Sequence, residues 1–268
     1  MNLINPERIA QINDIKRIVV KVGSTTLTHP SGLLNFNKIE SIVRQLSDIK
    51  NSGKEVILVS SGAVAAGIGK LGLRANPKSI PEKQAVAAIG QGILVHLYEK
   101  LFSEYGQIAA QILLTKEDFL EEERLNHLRN AFFSLLNYGA IPIINENDVV
   151  AIDELKFGGN DALSASVAKA LDADLLILLS DIDGLYTGDP NINPDATLIN
   201  WVDKIDSTIE SFAGDTRTSL GTGGMISKIS AAKLTCSSGI AMIIANGSYP
   251  GIISSLLEGK NIGTWFSK

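Results

Sequence analysis

The sequence predicts an α/β protein, a three-layer α/β/α sandwich around a mainly parallel sheet. Three observations predict it. Short runs rich in Val, Ile and Leu recur along the chain and alternate with stretches of helical periodicity. The runs are apolar at consecutive positions, the pattern of strands covered on both faces, as parallel strands are. No repeat, low-complexity tract or linker divides the 268 residues, so one domain over 1–268 is expected.

In order, "RIVVKVG" (17–23) reads as a buried strand. Phe36, Ile39, Ile42, Val43, Leu46 and Ile49 then fall at helical spacing, and Gly53 ends that helix. "EVILVSSG" (55–62) is the second strand, and "AVAAGIGKLG" continues as a helix. A long helix is expected over 81–105, with Pro81 in its first turn. "IAAQILL" (108–114), "AIPIINEND" (140–148), "DLLILLSD" (174–181) and "GIAMIIANG" (239–247) are further strands. Helices are expected between them at 117–138, 160–172 and 224–237. The stretch "VVAIDELKF" (149–157) alternates apolar and polar residues, which suggests a small hairpin outside the sheet.

Bulk composition excludes several classes. With 45% hydrophobic residues, 20% charged and a formal charge of −5, the composition argues against a nucleic-acid partner, which usually demands a basic face, though not against a local anion site. The longest apolar run, "LLILL", is far below the ~20 residues of a membrane span, and the start lacks the apolar core of a secretory signal. Cys236 is the single cysteine, so no intramolecular disulfide can form and a reducing cytoplasm is the expected home. His29, His96 and His127 are scattered without ligand spacing, which argues against a zinc site and against a Ser-His-Asp nucleophile.

Ligands of open parallel sheets bind beyond the carboxyl ends of the strands, and polar residues collect there. The strands run into Lys21, Gly23 and Ser24; into Ser60, Ser61 and Gly62; into Asn145, Glu146, Asn147 and Asp148; and into Ser180 and Asp181. Turns favour such residues anyway, but Lys21 closes an otherwise apolar strand, and a buried ammonium needs an anion. "KFGGNDALSA" offers a glycine-rich start to a helix, where Asn160 or Asp161 can cap or Asp161 can hold lysines in place. "GTGGMISK" (221–228) is a loop feeding a helix, whose free N–H groups and dipole favour phosphate. Lys228 lies one turn in and points back towards the helix start. "GIGKLG" (67–72) has the spacing of the dinucleotide fingerprint but follows a helical stretch, so it ends a helix instead. Two lysines, several aspartates and no placed base suit phosphoryl transfer to an acceptor already ionised, such as a carboxylate.

The blocks "VVKVGSTTLT", "VSSGAVAAG", "AIPIINENDVVA", "KFGGNDALSA", "LLSDIDGLYTGDP" and "GTGGMISK" resemble the amino acid kinase superfamily, in order, across about 17–266. The pair "INEND" and "GGND" is similar to the glutamate 5-kinase family rather than to the acetylglutamate, aspartate, carbamate or UMP kinases. The resemblance implies the amino acid kinase fold and phosphorylation of the L-glutamate γ-carboxylate by ATP with Mg2+. It implies a catalytic set of Lys21, Lys228 and Asp161. ATP contacts would come from Lys21, Gly23, Ser24, Ser180, Asp181, Thr222, Gly223, Gly224, Met225, Ile226, Ser227 and Lys228. Gly62 is grouped with the substrate-side residues Ser61, Asp148 and Asn160, and no protein ligand to the metal is assigned.

Ser180 stands where many relatives have threonine, and "RLNHLRNAFF" (124–133) departs from the family pattern. Many relatives carry a C-terminal PUA domain, and a kinase domain alone is expected here. A homo-oligomer, dimer or tetramer, is also implied, with coupling to the next enzyme of proline synthesis as a further expectation. The alternatives are a sister kinase acting on another small carboxylate and a non-catalytic amino-acid or nucleotide sensor.

Overall fold

The computed structural model describes residues 6–151, 159–190, 192–214 and 224–268. Its strands are β1 (Arg17–Val22), β2 (Glu55–Ser60), β3 (Ile108–Leu114), β4 (Ala140–Glu146), β5 (Leu175–Ser180), β6 (Trp201–Val202), β7 (Ala241–Asn246) and β8 (Thr264–Phe266). The helices are α1 (Pro6–Ile12), α2 (Ser24–Leu27), α3 (Phe36–Asn51), α4 (Ala63–Leu71), α5 (Ile80–Glu104), α6 (Glu122–Asn137), α7 (Asn160–Ala170), α8 (Ser207–Ser211), α9 (Met225–Cys236) and α10 (Ile252–Leu257). The strands form one 8-stranded sheet in the order β3-β4-β2-β1-β5-β7-β8-β6. Every pair is parallel except β7 with β8.

Side chains alternate across the sheet, and each set meets its own helical layer. On one face Ile18, Val20, Val22, Leu58 and Ile177 pack with α3, the middle of α5 and α10. On the other, Val19, Ile57, Val59, Leu176 and Leu178 pack with α6, α7 and α9. Lys21 shares the parity of Val19, so its side chain rises among α7 and α9. That single period-two fact positions the site.

The expected strands and long helices all form, with boundaries moved by a residue or two. The helix expected over 117–138 is divided. A 3-10 turn, Lys116–Phe119, precedes α6, because Thr115 and Asp118 close a capping box of their own. The expected hairpin at 149–157 falls largely outside the described residues. "GIGKLG" does end a helix: Gly72 takes the left-handed conformation at φ 63°. Gly67 has a second reason, since a methyl there would lie 2.0 Å from Val86 O, where α4 crosses α5. Among the described residues, no helix is long and apolar enough to cross a membrane.

Candidate active site

β1 and β5 are neighbours although β2, β3 and β4 lie between them in the chain, so the winding direction reverses at this pair. Such a reversal opens a crevice beyond the strand ends. Lys21 stands at the β1 end of it. Asp161 enters from the first turn of α7 and Lys228 from the first turns of α9. Lys21 Nζ lies 2.5 Å from Asp161 Oδ1, and Lys228 Nζ lies 3.1 Å from Asp161 Oδ2. Ser227 Oγ donates to the same Oδ2 at 2.8 Å. Lys21, Asp161 and Lys228 are 6%, 1% and 3% exposed.

The electrostatics follow from that burial. Desolvation alone would raise the Asp161 carboxyl. The charges of Lys21 and Lys228, with hydrogen bonds from Lys21 and Ser227, outweigh it and hold the group below its ordinary 3.8. Burial pulls the Lys21 ammonium below its ordinary 10.5, while Asp161 opposes that fall. Two ammonium groups on one carboxylate leave a local excess of positive charge under the crevice. A polyanion relieves that excess.

Gly23 follows Lys21 closely: a Cβ there would sit 3.7 Å from Lys21 Nζ and 3.5 Å from Leu179 O, so glycine keeps bulk off the ammonium. Ser24 opens α2 next to it. Ser180 closes β5, with its Oγ donating to Asp181 Oδ1 at 3.1 Å, and Asp181 adds a favourable charge towards Lys21. Gly224 caps α9, which leaves the N–H groups of Met225 and Ile226 at the helix start, while Ser227 N–H donates back to Gly224 O at 3.1 Å. Thr222 and Gly223 lie outside the described residues.

On the other side of α7 the site turns neutral. Asn160 Nδ2 donates to Ser61 Oγ at 2.8 Å, to Asn145 Oδ1 at 2.9 Å and to Ser60 O at 3.2 Å. One amide thus ties the ends of β2 and β4 to the start of α7. Gly62 follows at φ 102° and caps α4. Asp148 sits half-buried in the turn after β4. A cavity of about 390 Å³ adjoins that turn, lined by Leu113, Thr115, Asp118, Arg124, Asn147 and Val150 among others.

One expectation changes. Neither Asn160 nor Asp161 caps α7: Gly159 is the N-cap, at φ 119° and without a side-chain cap bond. Both side chains are committed to long-range partners, which hold them harder than a local turn would. Asn145 was visible as a polar residue closing an apolar strand, but its use as acceptor for Asn160 appears only in three dimensions. Cys236 ends α9 half-buried, and burial pushes its thiol up to about 11, away from the thiolate form a nucleophile uses.

Comparison with known proteins gives the family. Residues 16–246 match the model of the amino acid kinase family. The chain belongs to the amino acid kinase family. Glutamate 5-kinase of Clostridium tetani is 59% identical over 256 residues, covering 96% of each chain. Glutamate 5-kinase of Clostridium acetobutylicum is 56% identical over 255 residues, covering 95% of this chain and 96% of its own. These identities put the chain in the glutamate 5-kinase branch of the family. Among solved structures, a carbamate kinase from Giardia lamblia bound to AMP-PNP superposes with a TM-score of 0.67. It covers 96% of this chain and 99% of its own at 15% identity, a likeness of fold alone. The amino acid kinase fold expected from the sequence is therefore present.

Proposed function

We propose that the chain transfers the γ-phosphoryl group of ATP to the γ-carboxylate of L-glutamate, giving γ-glutamyl phosphate and ADP, the first step of proline biosynthesis. The observation that carries this is one buried carboxylate shared by two lysines from distant parts of the chain. Lys21 and Lys228 neutralise the phosphates as negative charge moves onto the β–γ bridging oxygen. Asp161 is a positioning residue that holds both lysine side chains in place. The acceptor is already an anion, so no base is required: a carboxylate oxygen forms the new bond to the γ-phosphorus as the bond to ADP breaks. Catalysis then rests on alignment and on charge.

Gly23, Ser24, Ser180, Asp181 and the loop and helix start from Thr222 to Lys228 would hold the nucleotide. Ser61, Gly62, Asn160 and Asp148 would hold glutamate, with Asp148 meeting its ammonium group. Magnesium keeps water and phosphate oxygens as ligands and asks little of the protein. That fits a site whose buried Asp161 is engaged by lysines. Carried by ATP, the ion would neutralise the β- and γ-phosphates. A homo-oligomer, a cytoplasmic setting and handover of the labile acyl phosphate to the next enzyme belong to the same proposal. Ile108 on edge strand β3 is 62% exposed, in keeping with a subunit contact there.

The test offers ATP with glutamate, aspartate, acetylglutamate or carbamate, reading ADP release together with hydroxamate trapping. Turnover is expected with glutamate, and preference for another acid overturns the assignment. Asp148→Ala should raise the glutamate KM about tenfold or more, the size of one lost charged hydrogen bond, with the ATP KM within about twofold. Equal weakening of both substrates would count against the role of Asp148.

A further inference from the structure

Helix α5 carries polar side chains on its inner face where apolar ones would pack. Gln84, Gln91 and Tyr98 recur at intervals of seven residues, about two helical turns, so they share that face. Gln91 is 9% exposed and Tyr98 0%. Burying such groups is costly unless each finds a partner, and each does so on the acceptor side of the site.

Gln84 Nε2 donates to Val149 O at 3.1 Å, and Gln91 Nε2 donates to Glu146 O at 3.3 Å. Those carbonyls stand on either side of Asp148. The Tyr98 hydroxyl lies 2.9 Å from Ser60 Oγ. Ser60 Oγ in turn donates to Ser61 O at 2.9 Å, which leaves Tyr98 to donate to Ser60. Ser61 is the residue whose Oγ receives Asn160. One helical stripe therefore reaches both backbone segments that bear the acceptor-side residues.

The helix that carries the stripe is itself fixed. A methyl at Gly90 would lie 1.6 Å from Ala63 O, so α5 is seated directly on the start of α4, just after Ser61 and Gly62. A helix seated this closely cannot slide without moving the β2 end as well. Packing alone would be served by Leu or Met at these positions. The polar choice, at matched spacing, is left over once packing is accounted for.

We propose that Gln84, Gln91 and Tyr98 are positioning residues that hold the Asp148 turn and the Ser60–Ser61 strand end in register, setting how tightly the amino-acid substrate binds. This rests on the assignment of Ser61 and Asp148 to the acceptor. Among the described residues the stripe bonds only to the acceptor side, so its effect is expected on one substrate.

The experiment measures KM for both substrates, kcat and Tm in Gln91→Met, Tyr98→Phe and Gln84→Ala, with the exposed Glu99→Ala on the same helix as control. Gln91→Met is expected to raise the glutamate KM about tenfold and Tyr98→Phe about fivefold, the range of single hydrogen bonds, with the ATP KM unchanged. Gln84→Ala, at a half-buried position, should give about threefold with Tm unchanged. A lowered Tm with unmoved glutamate KM means that the stripe only packs, and overturns the proposal. An equal rise in both KM values does the same. If Gln91→Met fails to fold, the Gln84→Ala result decides. Should the parent chain turn over another acid instead, the glutamate assignment alone falls, and the same split is read with that acid.

Discussion

The two sides of α7 are built on opposite principles. Towards α9, charge is concentrated: Lys21 and Lys228 close on Asp161 in a space almost without solvent. Towards β2 and β4, the contacts are neutral: the Asn160 amide is shared among Ser60, Ser61 and Asn145. Ionic attraction acts over several ångströms and tolerates a moving partner, as a phosphoryl group in transfer must be. Amides and hydroxyls act only at short range and correct angle, which suits discrimination among small acids. The difference teaches why adjacent residues, Asn160 and Asp161, carry separate duties from one helical turn.

Substitutions can break or sharpen that contrast. The largest effect is expected from Asp161→Asn, which leaves two buried ammonium groups without their anion and should cost about 3–5 kcal/mol of unfolding free energy in urea titration. The same carboxylate makes a pH prediction. Its folded-state value lies below the ordinary 3.8, so its stabilising contribution is complete above pH 3.8 and is lost as pH falls below that value. The parent chain should lose Tm more steeply than Asp161→Asn in that acid window, and parallel curves would remove the ion pairs from the account of stability.

Next comes Lys228→Ala, with kcat lowered a hundredfold or more, on the order of 3 kcal/mol of transition-state stabilisation. The glutamate KM should move little. A large KM change at normal kcat would assign Lys228 to the neutral side of the comparison. Gly23→Val places side-chain atoms over the Lys21 ammonium and should raise the ATP KM roughly fivefold, with the glutamate KM steady. Smallest is Ser227→Ala, which removes one of the bonds to Asp161 and should lower kcat about threefold. If Ser227→Ala matched Lys228→Ala, the hydroxyl rather than the charge would dominate this side.

Much of the charged side is legible in the chain itself. A lysine after Val19 and Val20, in a strand apolar on both faces, has to meet an anion, and the glycines of "GTGGMISK" announce a helix start that needs one too. The neutral side was less legible. Asn145, Asn160 and Ser61 look like ordinary turn formers, because the same residue types serve turns and sites alike. Gln84, Gln91 and Tyr98 read simply as helix residues, since their carbonyl and hydroxyl partners lie on other elements. Short β6 and β8 gave no periodic signal at all: a strand of two or three residues is too brief for one.

Arg8 makes the same point at the far edge of the sheet. It is fully buried, donating to the carbonyls of Asn200, Lys260, Ile262 and Gly263, and burial lowers its pKa to about 10. From "NPERIAQ" it is one more charged residue on a short helix. The order of the main strands and long helices, and the presence of two anion-seeking lysines, came from the chain alone, because periodicity and burial cost act between near neighbours. Which carboxylate those lysines share, which amide joins β2 to β4 and which carbonyls receive Arg8 depended on strand order. That order brings together residues whose separation along the chain carries no local trace.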